Sequence, residues 1–352
     1  MSAQARLALV SPGRTSDGGA TVARDLHRAL EGVLGEEVPS TGIASNGAAR
    51  LPAHVSHARS IIFLGTRVVD NQADRAIFWP LSVAPLDASV NQLDHTSLEN
   101  KARQSLLRHR LRRSVVRADG LIFGSHYGRA LYTARYAAGA MLPYAVISQG
   151  PASLQVTPQA IEADDGRGKV RILVCSHLDA YKGLLEFIDA LGQVDRDLLS
   201  STSVRIAGAD REPVYAEAVR RRIQDLALGA HIEVASATKD ELADLYGAAD
   251  LFVFSSLCEA AGSFSLFDAF HAGLPVIASD RSSMPEICRG AAELVNPFET
   301  AHFSRTLTRL IKSREERAEL AARSQKWSED SPVWPERAEE VMTFIRRIER
   351  SS

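Results

Sequence analysis

Glu259 stands shortly after the apolar run Leu251 to Phe254, in a loop that also carries Gly262. A helical pattern with Leu266, Phe267 and Phe270 on its apolar side begins just beyond that loop and ends at Gly273. A carboxylate past the carboxyl end of a buried strand lies on the ligand edge of a parallel sheet. Ser263 or Ser265 suits the N-cap of the helix, whose unpaired N–H groups and positive dipole end would face a phosphate or an electron-rich oxygen. Asp268 falls in the first or second turn, and ionised carboxylates at both ends of such a turn suit a ligand with two sets of hydroxyls. The alternative is a pair of acids that only support a solvated loop and a helix start, and spacing alone leans that way.

A second strand end changes the weighting. The stretch VCSHLDAYKG, Val174 to Gly183, sets Lys182 immediately ahead of a helix containing Leu184, Leu185, Ile188 and Leu191. A lysine at a helix start opposes the dipole unless an anion neutralises it. A bound diphosphate would do so, and a fully solvated lysine is the other reading. In the first half, Gly18 and Gly19 in PGRTSDGGA permit close backbone approach to a ligand at a helix start, although a paired glycine also simply makes a turn. Neither GxGxxG nor GxxxxGK[ST] is present at this point, so nicotinamide and ATP chemistry are not expected. The ten histidines are scattered, with His54 and His57 the one close pair, and no metal site is expected. His126, after a strand, receives no catalytic role.

The elements that must hold these residues are legible as short β-branched runs between longer helical patterns. Leu7 to Val10, Ser60 to Leu64, Gly120 to Phe123 and Ala145 to Ile147 read as strands in the first half. Val170 to Cys175, Val204 to Ala207, His231 to Val234, Leu251 to Phe254 and Pro275 to Ala278 repeat the scheme in the second. This alternation predicts parallel sheets covered by helices. A chain of 352 residues exceeds one ordinary core, and the Pro- and Gly-containing stretch Gly150 to Gly168 is the natural linker. The expected plan is one domain over 1–150, a linker over 151–168, a second domain over 169–330, and a closing helix within 331–352 carrying Val341, Phe344, Ile345 and Ile348 at helical spacing.

Composition narrows the function classes. Apolar residues make up 45% and charged residues 24%, with a formal charge of -2, so no nucleic-acid partner is expected. The cysteines Cys175, Cys258 and Cys288 are odd in number and widely spaced, which suggests neither disulfides nor zinc and fits a reducing cytoplasm. The opening MSAQARLALVSPGR has too short an apolar run for a signal peptide, and no run reaches a membrane span. Local charge differs: Lys101 to Arg117 has seven Lys or Arg and no acid, with Leu107, Leu111 and Val115 as an apolar stripe. Either the stripe packs on the sheet below a solvated basic face, or the helix meets anionic lipid headgroups.

Taken together these features resemble the retaining glycosyltransferases of family 4, of the GT-B fold. The resemblance spans nearly the whole chain: GG before a helix, ADGLIFGSHYGRA and VISQGP, then YKG, IAGADREP, ELADLYGAADLFVFSS, the acidic loop, AGLPVIASD and MPEI in the family's order. It implies an α/β chain of two Rossmann-like, doubly wound domains facing across a cleft, with the C-terminal helix crossing back to the first. It also implies transfer of a sugar from a nucleoside diphosphate sugar to a glycan or lipid-linked acceptor, without cofactor or metal, in bacterial cell-surface polysaccharide or glycoconjugate synthesis. Such an enzyme would be cytoplasmic and peripheral at the inner membrane face.

In that resemblance Lys182 is the lysine on the donor diphosphate and Glu259 the glutamate on the transferred sugar. Asp268 is the acid on the ribose, and backbone groups of Gly262, Ser263, Phe264 and Ser265 lie against sugar and phosphate. Gly18 and Gly19 approach from the first domain. His177 stands where the family usually has an arginine, which leaves either a protonated imidazole or a missing cation. Eight residues separate Glu259 from Asp268 where the family has seven, and the second acid is one methylene shorter. Those departures open an alternative, a sugar-nucleotide-binding or regulatory protein without turnover.

Overall fold

The computed structural model describes residues 5–12, 18–43, 51–65, 68–81, 86, 98–150 and 168–351. The expected linker therefore lies, except for Gly168, outside the described residues.

The first sheet holds β1 (Leu7–Pro12), β2 (Ser40–Ile43), β3 (Ser60–Leu64), β4 (Arg75–Trp79), β5 (Gly120–Phe123) and β6 (Tyr144–Val146). Its order is β2-β1-β3-β4-β5-β6, with parallel pairing throughout. Around it lie α1 (Gly18–Leu34), α2 (Ala53–Ser56), α3 (Leu98–Arg117), α4 (His126–Arg135) and α5 (Ala137–Ala140). Every residue of β3 and β5 is buried, because helices cover both faces and the strands must be apolar on both. Leu111 and Val115 of α3 are buried and Leu107 half-buried, so the apolar stripe of the basic helix is spent on the first core.

The second sheet holds β7 (Val170–Cys175), β8 (Thr202–Ala207), β9 (Ile232–Ala235), β10 (Leu251–Phe254), β11 (Val276–Ser279) and β12 (Glu293–Val295). Its order is β12-β11-β10-β7-β8-β9, again parallel. Its helices are α6 (Leu184–Gly192), α7 (Arg196–Ser200), α8 (Pro213–Asp225), α9 (Lys239–Ala248), α10 (Phe264–His271), α11 (Met284–Cys288), α12 (Thr300–Lys312) and α13 (Arg314–Glu329). The last helix, α14 (Trp334–Arg350), leaves this sheet and joins the first.

The attachment of α14 has a sequence cause. Val341, Phe344, Ile345 and Ile348 form one apolar stripe, buried with Leu26 and Leu30 of α1 and with Ile77 and Ile122 of the first sheet. Gly120 permits the approach: a Cβ there would stand 2.2 Å from Ile348 Cδ1. Polar contacts fix the helix along its length, with Arg337 donating to Ser148 Oγ at 2.6 Å and Arg347 to the Tyr144 carbonyl at 2.6 Å. Ser60 Oγ donates to Glu349 Oε1 at 2.9 Å near the far end.

Some elements differ from expectation. β6 is shifted one residue earlier than the run Ala145 to Ile147, and α1 begins at Gly18, so that Gly18 and Gly19 lie within the helix. β2, β4 and β12 were not expected as strands. β2 and β12 lie at the edges of their sheets, where a strand of three or four residues needs few apolar positions.

Candidate active site

Strand order decides where a ligand can enter. In the second sheet β7 and β10 are hydrogen-bonded neighbours although three βα units separate them, so the chain turns away on either side of them, the arrangement in which open parallel sheets bind ligands at the strands' carboxyl ends. Lys182 lies in the loop after β7, at the end of a 3-10 turn, and Glu259 in the loop after β10. Their side chains meet: Lys182 Nζ is 2.6 Å from Glu259 Oε1, and each side chain is 12% exposed.

Both residues are held by their surroundings. Ser256 Oγ donates to Glu259 Oε1 at 2.8 Å, the Glu259 N–H donates to Ser282 Oγ at 2.9 Å, and Ser283 Oγ donates to the Glu259 carbonyl at 2.9 Å. On the other loop Ser255 Oγ donates to the Lys182 carbonyl at 2.9 Å. Gly183 follows in the left-handed region at φ +66°, where a Cβ would fall 2.2 Å from the Ser255 carbonyl oxygen, so only glycine lets the loops touch. Burial alone would lower the Lys182 pKa, but Glu259 and then Tyr181 outweigh it and hold the ammonium well above its ordinary value. Burial pushes the Tyr181 phenol up to about 12. The lysine's neutralising anion in this structure is thus Glu259.

The acidic loop turns at Gly262. That glycine takes φ +84°, and a Cβ there would stand 2.7 Å from the Phe267 ring. Ser263 then occupies the N-cap of α10 without a capping bond, its hydroxyl 3.1 Å from Ser265 Oγ instead. Among the described residues nothing accepts from the first N–H groups of α10, those of Phe264 and Ser265. The start of α6 is different: the Tyr215 hydroxyl accepts from Leu184 N at 2.9 Å and Leu185 N at 3.2 Å, so that helix is already capped. Of the two helix starts, α10 is the one open to an anion.

Asp268 sits in the second turn of α10, 8% exposed. Burial raises its carboxyl to about 7, with Lys239 opposing. It shares the Cys175 thiol as a neighbour with Lys182, since the charges of both act on that group. His177 is half-buried and accepts a hydrogen bond at Nδ1 from the Ala209 N–H, at 3.2 Å. An imidazolium cannot accept there, and burial, then Arg211, then Lys182 lower its pKa. Of the two alternatives for His177, a protonated imidazole or a missing cation, this contact favours the second, a neutral ring with its proton on Nε2. Gly18 and Gly19 form the first two residues of α1, and the loop ahead of them, 13–17, lies outside the described residues.

The first domain presses on this loop through residues that spacing did not single out. Ser125 Oγ donates to the Ala260 carbonyl, and a Cβ on Gly124 would stand 2.0 Å from the Ala261 Cβ. Glu286 of α11 accepts from the N–H groups of His126 at 2.8 Å and Tyr127 at 3.2 Å, capping α4 from across the cleft. Tyr181, Cys258, Ala260 and Ala261 pack against the first domain's core. Gly124, Ser125 and Glu286 were inside quoted stretches, ADGLIFGSHYGRA and MPEI, but only their partners across 135 to 160 residues reveal the contact.

Residues 161–327 match the family described as Glycosyl transferases group 1. No curated protein matches the chain in sequence. Among solved structures, sucrose-phosphate synthase from Thermosynechococcus elongatus superposes with a TM-score of 0.76 at 15% identity, over 99% of this chain and 100% of that one. WaaG, a glycosyltransferase involved in lipopolysaccharide biosynthesis, gives 0.71 at 15% identity, over 96% and 99%. HepE of Anabaena, in complex with UDP and glucose, gives 0.69 at 14% identity, over 97% and 99%. At such identities the likeness carries the fold. The family match thus lies over the second sheet, and the full-length superpositions give the whole chain the two-domain GT-B fold.

Proposed function

We propose that this chain transfers a sugar from a nucleoside diphosphate sugar to a hydroxyl of a glycan or glycolipid acceptor, with the anomeric configuration retained as in family 4. The observation that carries the reading is the Lys182–Glu259 pair at the β7/β10 crevice, beside the unspent N–H groups of α10 and facing the first domain. On donor binding the pair separates. The ammonium turns to the diphosphate, and Glu259 accepts from hydroxyls of the transferred sugar. Asp268 serves the ribose, and backbone groups from Gly262 to Ser265 lie against sugar and phosphate.

In the transfer itself the bond from the anomeric carbon to the leaving phosphate oxygen breaks, and a bond from that carbon to the acceptor oxygen forms. The acceptor proton passes to the leaving diphosphate, so no side-chain base is required. Lys182 and the start of α10 stabilise the negative charge that develops there. The acceptor side belongs to the first domain, with Gly18 and Gly19 at its helix start, and the setting is bacterial cell-surface polysaccharide or glycoconjugate synthesis. Contact with anionic lipid through α3 belongs to the same proposal: Arg112 and Arg113 are exposed, as are Leu106 at 51% and Val116 at 66%. No helix among the described residues is long and apolar enough to cross a membrane, so attachment is reversible.

Incubation with UDP-, GDP-, ADP- and dTDP-sugars, with nucleotide release as the readout, tests the reading. Release from one donor, abolished by Lys182→Gln, supports it. A second reading, donor binding without turnover, is favoured by the neutral His177. It would stand if a donor binds tightly and no release follows with any acceptor supplied.

A further inference from the structure

A nucleoside diphosphate brings two or more negative charges to a site whose one lysine is paired with Glu259 and whose histidine is neutral. Another basic side chain stands on the adjoining loop. Ser176 to Leu178, after β7, and Gly208 to Glu212, after β8, are stitched together at the carboxyl edge of the sheet. Leu178 N donates to the Ala209 carbonyl at 3.0 Å, Glu212 N donates to the Leu178 carbonyl at 3.3 Å, and Ala180 N donates to Glu212 Oε2 at 3.2 Å. Gly208 permits this closeness, since a Cβ there would stand 1.9 Å from the Ser176 carbonyl oxygen.

Arg211 stands in the middle of that second loop. Its backbone is fixed by a turn, with Arg211 N donating to the Ala209 carbonyl at 3.0 Å, while its side chain is exposed. The neighbouring charges are committed elsewhere: Asp210 pairs with Arg220 at 2.8 Å, and Glu212 is bound to Ala180 N. No carboxylate among the described residues pairs with Arg211. Its charge nevertheless reaches both His177 and Tyr181, the residues that flank Lys182 on the β7 side.

We infer that Arg211 is a second diphosphate-binding cation, reaching from the β8 loop past the neutral His177 to the phosphate oxygens that Lys182 also holds. The inference rests on the proposed donor site. A guanidinium in that place offers a planar fork of donors, which matches phosphate better than the imidazole beneath it. His177 then acts as a spacer: its Nδ1 ties the two loops, and its Nε2–H faces away from that bond and is free to donate.

Calorimetric titration of the whole chain with UDP, GDP, ADP and dTDP, and competition by the matching nucleosides, tests it. For the diphosphate that binds, Arg211→Gln is expected to weaken affinity by roughly 10- to 100-fold, leave the nucleoside unchanged and reduce the salt dependence. Arg221→Gln, which changes an exposed arginine of α8 paired with Glu217, is expected to leave both unchanged. Lys182→Gln reports on the underlying site. Loss in Lys182→Gln with none in Arg211→Gln overturns the inference and spares the donor site. Equal loss of nucleoside and diphosphate affinity in Arg211→Gln means a collapsed loop and also overturns it. Failure of all four diphosphates to bind the unaltered chain overturns the donor site and this inference with it.

Discussion

Asp268 is a buried acid with a cost that can be measured. Its carboxyl is 8% exposed and held up near 7 by burial, against about 3.9 for an unperturbed aspartate. Between those values the native state binds a proton that the unfolded chain does not, so stability falls as pH rises from about 4 to about 7 and is level above. The interval of about 3 pH units corresponds to about 4 kcal/mol. Asp268→Asn removes that term but buries an amide, which costs about 1–3 kcal/mol when unpaired, and a net gain of about 1–3 kcal/mol remains at pH 8. For a domain of this size each kcal/mol moves Tm by about 2–4 °C. Thermal melts at pH 8 should therefore show a rise of about 2–12 °C that vanishes or reverses by pH 4. If Asp268 serves the ribose as proposed, the same variant should also bind donor more weakly. A Tm shift of equal size at pH 4 and pH 8 would refute the reasoning.

Other outcomes follow from the same contacts. Glu259→Gln leaves Lys182 without its charged partner, and loss of one member of a buried pair should lower stability by about 3 kcal/mol or more while turnover falls to background, read by melts and nucleotide release together. Gly124→Ala places a Cβ 2.0 Å from that of Ala261. It should displace the donor loop and reduce kcat/KM by about 100-fold with little change in Tm, and unchanged kinetics would show that the two loops do not meet during turnover. Replacing Arg110, Arg112 and Arg113 with Gln should abolish sedimentation with anionic vesicles and leave neutral vesicles unbound, with salt acting the same way as the Debye length contracts to about 3 Å at 1 M; equal binding to both vesicle types would reject the lipid contact.

The parallel sheets were legible because β3, β5, β7 and β10 are short apolar runs, each buried on both faces and followed by a helical pattern. β4 escaped because Arg75 and Ala76 break the run before Ile77, Phe78 and Trp79, and β2 and β12 because edge strands need little apolar surface. Strand order was not legible at all. The adjacency of β7 and β10 is a fact of strand pairing that brings together Lys182 and Glu259, 77 residues apart, and sequence spacing held only the separate loops. The stripe of α14 was readable as helix, whereas its seat on α1 depends on Gly120 and on Ser148 and Tyr144 far earlier in the chain. His177 was noticed as an exception but not its protonation, which follows from the Ala209 N–H, and Arg211 carried no signal beyond being a charge in a loop.

Hydrogen exchange on the whole chain, with and without whichever of UDP, GDP, ADP or dTDP binds, tests the central claim most directly. The account predicts added protection at Ser176 to Gly183 and at Ser255 to Ser265, lost together in Lys182→Gln. Protection confined to the first domain, or to the opposite edge of the second sheet, would contradict it.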